Sequence, residues 1–345
     1  MRVALDAQLT VGTATGIGEY VRGLGPALRA RGIDLLPLQA SGVDPWRFDR
    51  RVLWDQFLLP LAALRAHPDL LHCTSGTAPL VPLGMPVVVT VHDLAWHRVQ
   101  QHTRWYAQRY FRDAMTARYR HARALIADSR FSRDELVECA GVDPARVSVA
   151  YLGVDPAFAA IVRRPDRSSV TILAVGTVER RKSLATAIEA IAAVPDARLV
   201  SVGPSTPYER ECRTLAAELG IADRVRFRGY VSREELLRLY ATATLAVAPS
   251  LYEGFGYAAA QALCAGIPLL ASDAASHPEI AVGGAPLLPA GDVAAWSAAL
   301  ETTLAAIEAA EARAASVRPS AAARFTWDAC ARATIAAYGN ALANK

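Results

Sequence analysis

The sequence predicts an α/β protein made of two Rossmann-like domains, each a doubly wound parallel sheet. Three observations point there. Short apolar runs bounded by loops alternate with longer helical stretches, the pattern of βαβ units. The alternation begins at Val3 and restarts at Val170, after a charged stretch from Arg163 to Arg167 that reads as a solvated linker. The chain has 345 residues, 52% of them apolar, enough for two separate cores.

Composition narrows the function classes. A net charge of +4 gives no electrostatic footprint for a nucleic-acid binder. Five cysteines, odd in number, widely spread and without a C-x-x-C pair, read as reduced and mostly buried thiols, not as a disulfide framework or a metal site. The opening MRVALDAQ lacks a charged and apolar leader with a cleavage site. No apolar run reaches the roughly 20 residues that span a bilayer. The expected location is therefore cytoplasmic, with any membrane contact peripheral, at the inner face.

In the first half, Val3–Leu5 reads as a strand and Asp6–Thr15 as a loop. Gly16-Ile17-Gly18-Glu19-Tyr20 opens a helix to about Arg31, stopped by Gly32, and Leu35–Leu38 begins the next strand. A dinucleotide fingerprint is rejected here, because its third glycine would fall at Val21 and the loop is too long for the tight turn. Leu70-Leu71-His72 and Val87–Val91 are further strands, and the second ends in His92-Asp93. Polar residues at the carboxyl end of a buried parallel strand point into the crevice where α/β proteins bind ligands. His72 is expected to be a satisfied core histidine. Arg98–Arg123 carries seven arginines and one acid, with Trp105, Tyr106, Tyr110, Phe111 and Tyr119 interleaved. Such a helix can lie on an anionic membrane or grip phosphate, or it can pack its aromatics on the domain with the arginines solvated. Leu125-Ile126-Ala127 is a strand followed by a cap-like Asp128-Ser129, a helix covers Arg133–Ala140, and Val147–Leu152 leads into Gly153-Val154-Asp155-Pro156.

In the second half, the strand Val170–Val175 runs into Gly176-Thr177-Val178-Glu179-Arg180-Arg181-Lys182-Ser183 and a helix to about Ala193. Three consecutive cations at a strand-to-helix loop suit a diphosphate leaving group, whose charge grows as it departs. Arg198–Val202 and Arg226–Val231 follow, and Ser232 with Glu235 forms a capping box for a helix to Ala241. The apolar run Leu245–Ala248 delivers Glu253-Gly254-Phe255-Gly256, then an alanine-rich helix Tyr257–Ala265 that stops at Gly266-Ile267-Pro268. Its N-terminus is a place to hold an anionic or polyhydroxylated ligand. Val293–Val317 reads as an alanine-rich helical run, structural rather than functional, and Phe325-Thr326-Trp327-Asp328 begins the last helix, to about Ala343.

Glu253-Gly254-Phe255-Gly256, with Gly266-Ile267-Pro268 behind it, resembles the donor-site signature of glycosyltransferase family 4, retaining transferases of the GT-B fold. Gly176, Arg181 and Lys182 fall into register with that family's G-x-x-x-x-R-K-N loop, with Ser183 in place of asparagine. Ser276-His277-Pro278-Glu279 is similar to its proline-glutamate turn. Eight residues after Glu253 the chain has Gln261 where the family has a second glutamate. The resemblance covers nearly the whole chain.

The resemblance implies two domains facing across a cleft. It divides the chain into an acceptor-side domain 1–160, a donor domain 168–323 and a helix 324–345 crossing back. It implies that the Gly16 and Gly18 loop closes over the site. His92 would touch the donor sugar, and Arg181 and Lys182 would neutralise the departing diphosphate. Glu253 would bond the sugar hydroxyls, helped by backbone N–H groups at Gly254, Phe255 and Gly256. The base would lie near Tyr230 and Val231, and Gln261 would bond the ribose. The implied reaction retains configuration and needs no cofactor and no metal ligand. GDP-mannose is the leading donor and a UDP-hexose the alternative. The acceptor is a saccharide or a lipid-linked saccharide in cell-surface polysaccharide synthesis, which suits a peripheral membrane contact through Arg98–Arg123. A degenerate transferase serving as a binding or scaffold protein is the competing class, and a nucleotide-sugar epimerase or phosphorylase is a third.

Overall fold

The computed structural model describes residues 1–11, 16–99, 104–281 and 283–343. Residues 12–15 of the expected first loop and 100–103 of the arginine-rich stretch lie outside the described residues. The chain forms two units, Met1–Gly153 with Thr326–Lys345, and Val154–Phe325.

The first unit holds six parallel strands: β1 (Arg2–Asp6), β2 (Asp34–Leu38), β3 (Leu70–Cys73), β4 (Val87–Val91), β5 (Ala124–Ala127) and β6 (Val147–Val149), in the order β2-β1-β3-β4-β5-β6. Every residue of β3, β4 and β5 is buried, as expected where helices cover both faces of a parallel sheet. The helix Gly16–Ala30 and the last helix, Trp327–Ala343, pack against each other in this unit. Tyr338 on the last helix is fully buried, with its hydroxyl 2.7 Å from His72 Nδ1. The other ring nitrogen of His72 meets Thr90 Oγ1 at 2.7 Å, so His72 is a satisfied core histidine. Trp327 sits over Gly153 so closely that a Cβ there would lie 2.4 Å from its ring.

The second unit repeats the plan with β7 (Val170–Val175), β8 (Ala197–Val202), β9 (Val225–Phe227), β10 (Leu245–Ala248), β11 (Leu269–Ser272) and β12 (Leu287–Leu288), all parallel, in the order β12-β11-β10-β7-β8-β9. Counted from β7, this is the 3-2-1-4-5-6 order of a dinucleotide-type fold, and the order reverses between β7 and β10. The capping box at Ser232 is half present. Its hydroxyl accepts from Glu235 N–H at 3.2 Å, while the Glu235 carboxylate turns to Arg238 and Arg228.

Two segments differ from the plain reading of the sequence. The alanine-rich run 293–317 is two helices, Val293–Ala305 and Ile307–Arg324. Nothing in its composition breaks a helix. The turn at Ala306 lets Trp296 and Leu300 enter the core beside β7 and β10, while the next helix packs on Tyr257–Ala265. Packing overrides propensity here. The segment 163–167 is not a free solvated linker. Arg163 donates to the carbonyls of Tyr240 and Ala243, and the backbone N–H groups of Arg164 and Asp166 bond Ala241 and Thr242. The segment thus satisfies the open carbonyls at the end of the helix Arg233–Thr242. Burial lowers the Arg163 guanidinium to about 10.

The arginine-rich stretch, in its described part, packs inward. It contains a turn Ala95–Arg98, then Trp105–Gln108, a π-helical segment Arg109–Ala114 and Met115–His121. Met115 and Tyr119 are buried, Trp96 stacks on Phe111 at 4.9 Å, and Phe48 meets Tyr106 at 4.8 Å. Arg98 bonds Glu135 and Glu138, and Arg118 and Arg120 donate to the carbonyls of Pro79 and Ala140. Beside it, the helical run Phe48–Leu53, Trp54–Leu58 and Leu59–Ala66 leaves Phe57, Leu61 and Leu64 exposed on one face. Among the described residues no helix is long and apolar enough to cross a membrane.

Candidate active site

β7 and β10 end side by side, and each delivers a loop to the point where the strand order reverses. After β7 the chain passes Gly176 and Thr177 to a single 3-10 turn, Arg180–Lys182. Ser183 then takes a left-handed conformation and hands over to the helix Leu184–Ala192. After β10 it passes Pro249 and Ser250 to Glu253. An open pocket lies between, lined by Gly176, Thr177, Lys182, Ser250 and Glu253 among others. Gly203, after β8, packs against Gly176: a Cβ there would lie 2.1 Å from the carbonyl oxygen of Gly176 at φ +146, so only glycine fits.

Glu253 is 8% exposed. Lys182 Nζ donates to its Oε1, Ser250 Oγ donates to the same oxygen at 2.9 Å, and Arg181 approaches Oε2 at 3.5 Å. Burial alone would raise the carboxyl pKa, but the charges of Lys182 and Arg181 outweigh it and hold the group at about 2. Arg181 also pairs with Glu179 at 2.8 Å, and Arg180 turns away to Glu211. Of the three cations, two therefore face the buried carboxylate and one does not.

A layer of polar groups behind Glu253 was not legible in the sequence. Ser272 Oγ donates to the Ser250 carbonyl at 2.6 Å, and His277 Nδ1 lies 2.8 Å from Ser272 Oγ. The serine proton is committed to the carbonyl, so His277 Nδ1 is the donor. Burial depresses the pKa of His277, which keeps it neutral. Its ring also explains Gly256. At φ +84 a Cβ on residue 256 would lie 2.7 Å from His277 Cδ2. Gly256 is the N-cap of the helix Tyr257–Ala265, which begins beside Glu253.

The remaining expected residues divide. Gly254 and Gly256 flank the Glu253 loop, but the Phe255 side chain is buried against Phe325 at 5.7 Å, so only its backbone is available to a ligand. Gln261 is buried in the second turn of its helix, where its Oε1 accepts from Tyr240 OH at 3.4 Å. Tyr230 is 55% exposed in the loop after the edge strand β9. Neither these two nor Val231 lines the pocket.

Gly16, Gly18 and His92 belong to the first unit. Gly16 is exposed and Gly18 buried in the first turn of the helix Gly16–Ala30, not in a loop. Four residues after Gly16, Tyr20 meets the His92 ring edge-on at 5.1 Å. His92 follows β4. Its Nδ1 lies 2.5 Å from Asp128 Oδ2 and its Nε2 lies 2.8 Å from the Thr74 carbonyl oxygen. Asp128 was read as part of a cap. The cap is Ser129 alone, whose hydroxyl accepts from Ser132 N–H at 3.0 Å, and Asp128 turns to His92. The one cluster of metal-ligand atoms among the described residues, Glu135, Glu138 and Cys139, has both carboxylates bonded by Arg98.

Residues 14–158 match the profile described as Glycosyltransferase Family 4, and residues 162–316 match Glycosyl transferases group 1. The MMP alpha-(1->4)-mannosyltransferase of Mycolicibacterium hassiacum is 30% identical over 82% of this chain and 73% of its own length. The chain belongs to glycosyltransferase family 4. It is a glycosyltransferase with two Rossmann-like domains in the GT-B fold. The D-inositol 3-phosphate glycosyltransferase of Mycolicibacterium vanbaalenii is 32% identical over 64% of this chain, which spans about half, 53%, of that relative. Among solved structures, the sucrose-phosphate synthase of Thermosynechococcus elongatus covers the whole chain at TM-score 0.81 and 23% identity, and Anabaena HepE in complex with UDP-glucose covers 98% at TM-score 0.77 and 19% identity.

Proposed function

We propose that this transferase moves a hexose from a nucleotide-diphosphate sugar to a saccharide or lipid-linked acceptor, with retention of configuration and without a metal. The observation that carries this reading is the buried Glu253 carboxylate with Lys182 and Arg181 on it, at the strand-order reversal of the second unit. A carboxylate held ionised accepts two sugar hydroxyls. Lysine has three donors, and one is spent on Glu253, so Lys182 can also reach a phosphate at the pocket's Gly176 side. Arg181 adds charge where the diphosphate departs. Gln261 takes the ribose, and the backbone at Tyr230 and Val231 the base. His92 serves the donor sugar from the first unit.

Mannose from GDP-mannose is the leading donor, supported by the mannosyltransferase relative at 30% identity, and a UDP-hexose is the alternative. Cell-surface polysaccharide synthesis is the setting that suits a lipid-linked acceptor. Membrane contact is favoured by the exposed face of Phe57, Leu61 and Leu64 rather than by the arginines of 98–123, of which Arg98, Arg118 and Arg120 bond within the domain.

The test is thermal shift with GDP, UDP, ADP and their sugars on the wild type, the double variant Arg181→Ala/Lys182→Ala, and Gln261→Glu. A nucleotide at 100 times its dissociation constant should stabilise the wild type by about 2.7 kcal/mol. The double variant should lose that shift. Gln261→Glu should increase it, because a charge-assisted bond to the ribose adds ~1–3 kcal/mol. No shift with any nucleotide would favour the scaffold reading.

A further inference from the structure

A neutral imidazole carries one ring proton, so it can donate from only one nitrogen. His92 faces an acceptor at each nitrogen: the Asp128 carboxylate at 2.5 Å and the Thr74 carbonyl, which can never donate, at 2.8 Å. The Nε2 proton is therefore fixed by the backbone, and the contact at Nδ1 needs a second proton, on the ring or on the Asp128 carboxyl, which burial favours in its neutral form. We propose that Asp128 is a positioning residue whose carboxylate holds His92 as a doubly donating imidazolium, a fixed cation at the carboxyl edge of the first unit's sheet and not a general base. This rests on the reading of His92 as a donor-site residue.

The surroundings agree. Asp128 is 1% exposed, and its Oδ1 has no hydrogen-bond partner, so the His92 proton is its principal compensation. Around the pair stand Asp93 on the same loop, Tyr20 from the helix Gly16–Ala30, His72 from β3 and Cys330 from the helix Trp327–Ala343. Burial holds Tyr20 and Cys330 protonated, and burial together with the His92 charge pushes His72 down to about 3. The Asp93 carboxylate on the same loop also favours the cation. Burial works against the His92 charge, but the Asp128 charge and hydrogen bond outweigh it, and the His92 pKa lies above its ordinary 6.5. His92 therefore keeps its second proton to higher pH than an ordinary histidine.

The role separates charge from placement. In Asp128→Asn the amide can turn its NH2 to Nδ1 while Nε2–H keeps the Thr74 carbonyl, so the ring stays put and the charge goes. The test is two-bond proton–nitrogen correlation of the histidine ring on the full chain, with His92 assigned by its loss in His92→Gln. The wild type should show both nitrogens of His92 protonated near neutral pH, and Asp128→Asn should show one. The second reading is turnover with the donor that the thermal shift selects: Asp128→Asn should lower kcat/KM by roughly ten- to a hundredfold, as loss of a carboxylate that orients a functional histidine does elsewhere, and Asp128→Glu should recover part of it. A neutral wild-type His92, including one accepting a proton from a protonated Asp128, overturns the proposal. So does unchanged turnover and pH profile in Asp128→Asn. The spectrum needs no substrate, so it decides the charge of His92 even if the assigned donor chemistry fails.

Discussion

Glu253 is ionised in a place where burial alone would favour its neutral form, and the balance is set by Lys182 and Arg181. Its carboxyl is held at about 2, against 4.5 for an ordinary glutamate. A depressed carboxyl pKa contributes stability that is complete above about 4.5 and is lost as pH falls toward about 2. Breaking a fully buried pair costs ~3–5 kcal/mol. Here the cost should be smaller, about 1–3 kcal/mol, because about a fifth of the Arg181 and Lys182 side chains remains exposed, 20% and 23%, and water can take over part of their solvation. Glu253→Gln should therefore melt below the wild type near neutral pH, and the two melting temperatures should converge as pH drops through that window. A constant gap across the window would mean that shape, and not charge, is what the substitution removed. That these residues share one site was readable, because Arg181-Lys182 and Glu253 each sit just past an apolar strand, but their pairing with one another was not. Ser250, Ser272 and His277 behind Glu253, and Asp128 behind His92, were not. Their contacts span loops whose relative placement no local pattern encodes.

At the scale of elements, strands and most helix ends were legible, and breaks imposed by packing were not. β4, β7 and β10 lie where continuous apolar runs placed them, because a parallel strand covered on both faces has no polar side to obscure it. The helix Tyr257–Ala265 was equally clear, since Gly266 ends it in a left-handed C-cap. The break at Ala306 and the docking of Arg163 on a helix end arise from tertiary contacts alone. The arginine-rich stretch shows the same limit: its composition admits either a membrane face or a packed helix, and Arg98, Arg118 and Arg120 with Tyr110 and Tyr119 are committed to the domain, while Trp105 is exposed. The exposed apolar face is on the neighbouring helical run, where Phe57, Leu61 and Leu64 follow at i, i+4 and i+7 with Arg50 and Arg65 nearby. If that face meets lipid, the wild type should co-sediment with vesicles rich in phosphatidylglycerol. Phe57→Ser/Leu61→Ser should weaken that binding by tenfold or more, since each such side chain contributes ~1.5–3 kcal/mol when buried. Equal sedimentation of both proteins would remove this face as the contact.

The whole chain is two sheets in which one unit is completed by a segment from the far end of the sequence. The second unit, Val154–Phe325, has a complete six-stranded sheet and its own core around Ile172, Ile188, Val247 and Trp296. The first unit lacks that independence. Its core needs Trp327 over Gly153, and it needs Tyr338, whose hydroxyl meets His72 and which is buried completely. Cys330, Ala331, Thr334, Ala337 and Ala341 are buried on the same helix. Removing residues 326–345 would take away Tyr338 alone at a cost of ~2 kcal/mol in apolar burial, and would leave the buried, neutral His72 without one of its two partners. A chain ending at Phe325 should therefore show a first-unit melting transition that falls sharply or disappears, while the second unit's transition persists. If Arg181, Lys182 and Glu253 form the donor site within the second unit, a bound nucleotide should still raise that remaining transition in the shortened chain. Histidine spectra would report the loss in parallel, through His72 and His92 in the first unit and His277 in the second. Loss of nucleotide stabilisation together with an intact second-unit transition would instead mean that donor binding depends on groups the first unit supplies, with His92 the first to examine.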